Sequence, residues 1–403
     1  MMRKKIVSFK CLYLDPSIEA PFDIFKIGLH DSEKKVSWFN HLVESDAEIT
    51  MLDGSDVLVR VLGVTFCNTD ISEIISRGSR AGQVGRRQGK IFLGHEVVGE
   101  VVEKGKDVTG IRDGDRVCIG DFNTCRSFNI LPECENCSNG RGVICTQKHL
   151  RKFNADSYGG FSEYMVRSQY QVVKIDRTID NATACLIEPA AIAHYCYRLI
   201  RRNNVQNVLI FGCGTIGIIL LRILKFHLGD TVTVDCISAN DNHQKQAKLS
   251  GSNFVSNNLD ALRRDYIGNF LDNTGALKGG YDVIVDFVGN SLSVNYLSNI
   301  VRAGGMFLEL AFPKEDLNFN IDSIVRNEIK FIGVHGYQGG KNLGENDFHS
   351  VIRLISSGEI FVGDLISRRT NFSNIKQDLI SECIGKINGI NNHGGFRVFA
   401  GET

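Results

Sequence analysis

The residues best suited to chemistry fall into three short constellations. Cys67 in VTFCNTD, with His95 and Glu96 in FLGHEVVG, offers a thiolate, an imidazole and a carboxylate, a mixed donor set suited to zinc. Glu188 in LIEPAA adds a carboxylate just before the sequence changes character. Such a set can supply about three protein ligands and leave one exchangeable position, which a catalytic zinc requires. Cys125, Cys134, Cys137 and Cys145 lie in CRSFNILPECENCSNGRGVIC, the last three in a polar, glycine-containing loop. Four thiolates of this kind form a closed tetrahedral site that excludes substrate, so this group reads as a structural zinc site.

The third constellation is the run Gly212-Cys213-Gly214-Thr215-Ile216-Gly217, a G-x-G-x-x-G spacing between an apolar strand and an apolar helix. The first glycine allows the tight turn, the second admits a pyrophosphate against the backbone, and the third lets helix and strand pack. Thr215 and Ile216 open the helix whose N-terminus faces the phosphates. At the tip of the next strand, TVTVDCIS, stands Ser238, and the acid Asp235 lies three residues earlier, inside the strand. With no acid there for a ribose diol, and Ser238, Asn240, His243 and Lys245 available to a 2′-phosphate, NADP is favoured slightly over NAD. A neutral serine admits both.

These groups need elements to hold them. A chain of 403 residues exceeds one ordinary core and predicts about two domains. The first half is rich in short apolar runs punctuated by glycine, among them DVLVRVLGVTF, GHEVVGEVVEKG, GDRVCIG and QVVKID, which predict an all-β, barrel-like unit. From Ala190 a helical stretch leads into NVLIF, TVTVDCIS, YDVIVDFVG, GGMFLELAF and IKFIGV. Continuous apolar strands alternating with helical periods predict a parallel sheet covered on both faces. After residue 336 the pattern is mixed and ends on a strand-like FRVFA. The opening MMRKKIVSFKCLYLD reads as a first strand and not as a cleaved leader, because Lys10 interrupts its apolar run. The polar stretch SRGSRAGQVGRRQGK, residues 76–90, reads as a solvated, mobile loop whose Arg77, Arg80, Arg86 and Arg87 are candidates to meet a substrate phosphate.

Lys+Arg and Asp+Glu both count 46, so no net field favours nucleic acid or an anionic membrane, and a small-molecule partner is expected. No apolar run approaches the roughly 20 residues that span a bilayer. Twelve cysteines, several inside apolar runs, fit reduced cytoplasmic thiols better than disulfides.

Together these motifs resemble the zinc-containing medium-chain dehydrogenase/reductase family. The likeness runs from about Asp56 to Gly358, through Cys67-x-Thr69-Asp70, Gly94-His95-Glu96-x-x-Gly99, Gly114-Asp115-Arg116-Val117, the cysteine loop, Glu188-Pro189, the glycine fingerprint and Arg302-Ala303-Gly304-Gly305. Within the family the polyol, threonine and glucose dehydrogenases are the most similar, because Glu96 follows the histidine and Glu188 stands in the EP motif.

The resemblance implies an α/β chain: a GroES-like β-barrel catalytic domain, residues 1–190 and 336–403, enclosing a Rossmann doubly wound parallel-sheet domain, residues 191–335. It implies an active site between them where Cys67, His95 and Glu96 hold the catalytic zinc, with Glu188 as fourth ligand or as partner of the zinc-bound water. Thr69 would accept the alcohol proton, and Asp70 would orient the histidine. The reaction implied is hydride transfer between NAD(P) and a secondary alcohol or ketone, on a sugar, polyol or cyclitol-like substrate, by a homodimer or homotetramer. The alternative is a catalytically inactive dinucleotide-binding sensor or structural protein of the same fold.

Three departures from the family pattern matter. Leu131 stands where the first structural cysteine is usual, and Cys125 replaces it through a six-residue insertion. Asn68 replaces a glycine or arginine, and Ser72 stands in place of a proton-relay histidine. The segment before Cys67 is also some 25 residues longer than in typical members.

Overall fold

The computed structural model describes residues 7–21, 36–49, 54–78, 86–87, 89–120, 122–151, 158–259, 261–262, 279–312, 316–317, 321–338, 346–389 and 395–402. The chain divides into two compact units, Met1–Glu188 with Gln338–Thr403, and Pro189–Tyr337.

In the first unit, β1 (Val7–Leu14) pairs antiparallel along its length with β2 (Leu42–Ile49). Residues 15–41 run between these strands, with Trp38, Phe39 and His41 buried and residues 22–35 outside the described ones. The next strand, β3 (Asp56–Thr65), is apolar almost throughout because both of its faces are covered. Val57, Val59, Val61 and Val64 join the main core, whereas Leu58 packs with Phe9, Cys11, Tyr13, Ile49 and Val166.

Helix α1 (Asn68–Ile75) follows with Cys67 as its N-cap, and Cys67 and Asp70 satisfy each other's backbone N–H groups in a capping box. The stretch at 76–90 is only partly a loop: β4 (Arg86–Arg87) and β5 (Lys90–Phe92) form a hairpin, with Gly89 at φ +81° in the turn, that extends the β1–β2 sheet. Residues 79–85 and 88 lie outside the described ones. Four further strands follow, β6 (Glu96–Lys104), β7 (Arg116–Ile119), β8 (Tyr164–Ser168) and β9 (Val172–Lys174). Helix α2 (Ile187–Ile200) starts three residues earlier than the apolar period from Ala190 indicates. Pro189 is tolerated because it sits in the first turn, where its missing N–H has no helical partner.

The second unit is a parallel sheet of β10 (Asn207–Phe211), β11 (Thr233–Ile237), β12 (Phe254–Ser256), β13 (Tyr281–Asp286), β14 (Val301–Glu309) and β15 (Lys330–Gly333). The order β12-β11-β10-β13-β14-β15 reverses direction between β10 and β13, the doubly wound arrangement. Helices α3 (Thr215–Leu228), α4 (Asp241–Leu249) and α5 (Ser291–Ser298) lie between successive strands in the chain.

The chain then returns to the first unit with β16 (Ile366–Thr370), α6 (Ile375–Ile387) and β17 (Arg397–Gly401). β17 joins β3 and completes the sheet β16-β17-β3-β6-β7-β9, on which β8 pairs with β3. No described helix is long and apolar enough to cross a membrane.

Candidate active site

Strand register brings the mixed donor set together. Thr65, near the end of β3, is the antiparallel partner of Glu96, at the start of β6, so Cys67 and His95 leave neighbouring strand ends side by side. The ligand atoms of Cys67, His95 and Glu96 all lie within 4.8 Å of one another. Gly94, at φ +85°, turns the chain into His95, and a Cβ there would come within 2.9 Å of the Phe161 nitrogen.

Asp70 ties the two segments. Its Oδ1 accepts from the Gly94 N–H at 3.1 Å and lies 3.4 Å from His95 Nδ1, while its Oδ2 accepts from the Cys67 N–H at 3.3 Å. Burial alone would push the His95 imidazole down, but the charges of Asp70 and Cys67 outweigh it and hold the ring well above its ordinary range.

A residue not singled out in the sequence completes the group. Arg397, buried at the head of β17, grips Glu96 with Nε at 3.0 Å from Oε1 and 2.8 Å from Oε2, and with Nη2 at 2.5 Å from Oε1. Its Nη2 also lies 3.5 Å from Cys67 Sγ. Glu96 accepts a further bond from the Thr65 hydroxyl. Burial would lower the Arg397 pKa, but the charges of Glu96 and Cys67, with a smaller contribution from Glu188, raise it well above its usual value. The only sequence signal was a charge at the head of an apolar strand. Glu188 is itself buried but stands outside the compact group of three. Thr69 is exposed, with its hydroxyl 3.6 Å from Cys67 Sγ. Ser72, in place of the relay histidine, accepts from Lys386 Nζ at 3.0 Å.

Sulfur, nitrogen and oxygen donors at this spacing fit zinc chemistry. The second cluster fits as well, since Cys125, Cys134, Cys137 and Cys145 also have their sulfurs within 4.8 Å of one another. A 3-10 turn (Arg126–Phe128) and Asn129 at φ +53° curl the insertion back, with the Ile130 N–H on the Cys125 carbonyl at 2.9 Å. Cys125 thereby reaches the other three. The Cys134 thiol is lowered to about 5: burial opposes this, but donors from the backbone of Cys137 and Thr146 stabilise the thiolate.

The glycine loop has the form that a pyrophosphate needs. Gly212 sits at φ +96°, and a Cβ on Gly217 would fall 2.4 Å from the Gly212 carbonyl oxygen. Gly214 caps α3 with no side-chain bond, and the buried Thr215 hydroxyl in its first turn has no hydrogen-bond partner. Ile216 follows on the same turn. Beyond β11, Ser238 Oγ lies 3.3 Å from His243 Nδ1. The Asn240 side-chain oxygen caps α4 by accepting from the His243 N–H, so that oxygen is already engaged. Asp235 is fully buried within the strand and accepts from the Tyr281 hydroxyl at 2.8 Å. Of the four arginines considered for phosphate, Arg77 is spent inside the fold on the Ile18 and Trp38 carbonyls and on His41. Arg80 and the side chains of Arg86 and Arg87 lie outside the described residues.

Residues 53–177 match the model of the alcohol dehydrogenase GroES-like domain, and residues 215–357 match that of the zinc-binding dehydrogenases. L-galactonate-5-dehydrogenase of Escherichia coli (strain K12) is 26% identical over 337 residues, covering 83% of this chain and 90% of that relative. A structure described as a short chain alcohol dehydrogenase of Escherichia coli CFT073, complexed with NADH, matches at 22% identity and TM-score 0.73, covering 98% of this chain and 99% of its own. A putative zinc-binding dehydrogenase of Sinorhizobium meliloti 1021, bound to NADP, matches at 22% identity and TM-score 0.70, covering 98% and 100%. Both structures share this fold. The chain belongs to the zinc-containing medium-chain dehydrogenase family and is an NAD(P)-dependent alcohol oxidoreductase.

Proposed function

We propose that this protein is a zinc-dependent dehydrogenase that interconverts a secondary alcohol and a ketone on a polyhydroxylated substrate: a sugar, polyol, cyclitol or a related acid. The convergence of Cys67, His95 and Glu96 carries this reading. These three residues would hold the catalytic zinc, with Glu188 as a further ligand or as the partner of a water there, and the four cysteines would hold a second, structural ion. When bound, zinc supplies Lewis-acid charge for the substrate oxygen and the nicotinamide coenzyme gives or takes the hydride.

The chain's own residues supply geometry and protons. Asp70 fixes Cys67 and His95 relative to one another through the bonds described above. The exposed Thr69 hydroxyl, next to Cys67 Sγ, holds the proton of the reacting hydroxyl. Ser72, bonded to Lys386, offers that proton a way to water. Thr215 and the glycine loop bind the pyrophosphate, while Ser238 and His243 face the adenosine ribose. The absence of an acid at the β11 tip supports NADP somewhat over NAD. The name of the sugar-acid relative supports the substrate class. Twelve free thiols support a reducing cytoplasm, and the family resemblance supports a homodimer or homotetramer.

The test follows nicotinamide absorbance with zinc-loaded protein against sugars, polyols, cyclitols, their acids and phosphates, and simple alcohols, with NAD and NADP in parallel. Turnover of a polyhydroxylated compound is expected, and Cys67→Ser and His95→Ala should abolish it while leaving dinucleotide binding near the wild-type value. A zinc-loaded protein that binds dinucleotide yet turns over nothing in the panel would point to a non-catalytic sensor of the same fold.

A further inference from the structure

The carboxyl ends of β13 and β14 carry an acid each, paired in register: Asp286 and Glu309. Asp286 is fully buried, and its oxygens accept from the Val288 N–H at 2.7 Å, the Gly289 N–H at 3.1 Å and the Ser293 hydroxyl at 3.4 Å. Glu309 Oε1 accepts from the Ala311 N–H at 2.8 Å. Its Oε2 is buried and has no hydrogen-bond partner. No described lysine, arginine or histidine bonds either carboxyl.

The pair stands where the fold takes its ligand. In a doubly wound sheet the dinucleotide lies across the carboxyl ends, one nucleotide on each half, and the glycine fingerprint fixes the diphosphate at the central strand. The half built on β10 to β12 carries Ser238 and His243, so the nicotinamide falls to the half built on β13 to β15. The loop leaving Asp286 lies against the fingerprint turn: a Cβ on Gly212 would meet Val288 Cγ2 at 2.9 Å and Phe287 Cβ at 3.1 Å.

Nicotinamide changes charge in the reaction. The oxidised ring is a cation and the reduced ring is neutral, so a nearby carboxylate distinguishes the two forms by Coulomb energy alone. We propose that Glu309, backed by Asp286, is a specificity determinant that sets the preference of this enzyme for oxidised over reduced coenzyme. This inference rests on the nicotinamide-dehydrogenase reading above.

The sign follows from the environment of Glu309. Burial, with the Asp286 charge behind it, pushes its carboxyl up to about 8. Burial also raises Asp286, but its three donors favour the ionised form. Of the other titratable groups on these strands, Asp282 pairs with Arg302 at the opposite strand ends, Tyr281 donates to Asp235, and Lys330 heads β15 opposite Met306. His335, which follows β15, meets Phe312 edge-on at 5.4 Å, and Tyr296 of α5 donates its hydroxyl to the Leu259 carbonyl. At neutral pH Glu309 is therefore uncharged and the cationic ring gains little from it. Above pH 8 a second negative charge appears beside Asp286, and the oxidised coenzyme binds more tightly relative to the reduced one.

The experiment measures Kd for NAD(P)+ and NAD(P)H by titration of protein fluorescence from pH 6.5 to 9.5, in the wild type, Glu309→Gln and Glu309→Leu. In the wild type the ratio Kd(oxidised)/Kd(reduced) is expected to fall by about tenfold across this range, the scale of one added charge at partly screened distance. In both variants the ratio should stay flat at its low-pH value, and unchanged NAD(P)H affinity at pH 6.5 shows that they are folded. A wild-type ratio independent of pH, or one that falls equally in Glu309→Gln, would overturn the inference while leaving the dehydrogenase reading intact. Failure of either coenzyme to bind the wild type would overturn both.

Discussion

His41 makes the connection between residues 15–41 and α1 sensitive to acid. The imidazole is fully buried, with Nδ1 2.7 Å from Arg77 Nη1 and Nε2 2.8 Å from the Ile74 carbonyl. A guanidinium only donates, so Nδ1 is the acceptor and Nε2 carries the single proton. Protonating Nδ1 would set an N–H against an N–H and place a cation in the core. Burial first, and the Arg77 charge second, lower the pKa from 6.5 to about 4. That difference corresponds to about 3 kcal/mol between the two protonation states. Because the folded pKa lies below the unfolded one, the stabilisation is complete above pH 6.5 and is lost as pH falls toward 4. At pH 4.5 about 2.5 kcal/mol should be gone, a fall of about 5–10 °C in the melting of a unit this size. His41→Gln places an amide near both partners and does not titrate. It should melt lower than wild type at pH 7 and lose less between pH 7 and 4.5, with the difference in slope read by differential scanning fluorimetry. Parallel pH profiles for the two proteins would refute the buried neutral imidazole.

Arg397→Met leaves Glu96 buried without its cation, so the zinc-free protein should lose about 3–5 kcal/mol; because zinc can take over the carboxylate, calorimetry should show a smaller deficit in the zinc-loaded protein. Metal analysis should find two zinc ions per chain in the wild type and one in Cys137→Ser, and two in that variant would detach the four-cysteine cluster from metal binding. Gly217→Ala forces a methyl to within 2.4 Å of the Gly212 carbonyl oxygen; the helix must shift at a cost of about 1–3 kcal/mol, and NAD(P)H should bind more weakly by at least about tenfold in fluorescence titration.

The fold class was legible because the two halves use different periodicities. The unbroken apolar runs NVLIF and YDVIVD are central strands of the parallel sheet, as continuous burial requires. The run in β3 belongs to the all-β half, as its glycine-punctuated neighbours indicate, and it is apolar throughout because β6, β8 and β17 flank it antiparallel and β1 and β2 roof its other face. That roof is made by other strands, which periodicity within one segment does not report. At the site, donor chemistry was legible but convergence was not, because the Thr65–Glu96 register is a property of strand pairing. Arg397 escaped notice because its partner stands 301 residues earlier. Glu309 escaped notice because a carboxyl in an apolar strand reads as an ordinary polar interruption until its neighbour Asp286 is placed beside it. The stretch at 76–90 looked wholly solvated because its polar composition hides a two-residue strand.

The 301 residues between Glu96 and Arg397 also impose an order of events during synthesis. β3 and β6 can pair, and Thr65 can bind Glu96, while everything from the parallel sheet onward is still unmade. A nascent chain at that stage presents Cys67, His95 and Glu96 with no guanidinium among them. A dissolved cation would therefore meet the carboxylate before its internal competitor exists, and once β17 adds to the edge of β3, Arg397 and any such ion would compete for Glu96.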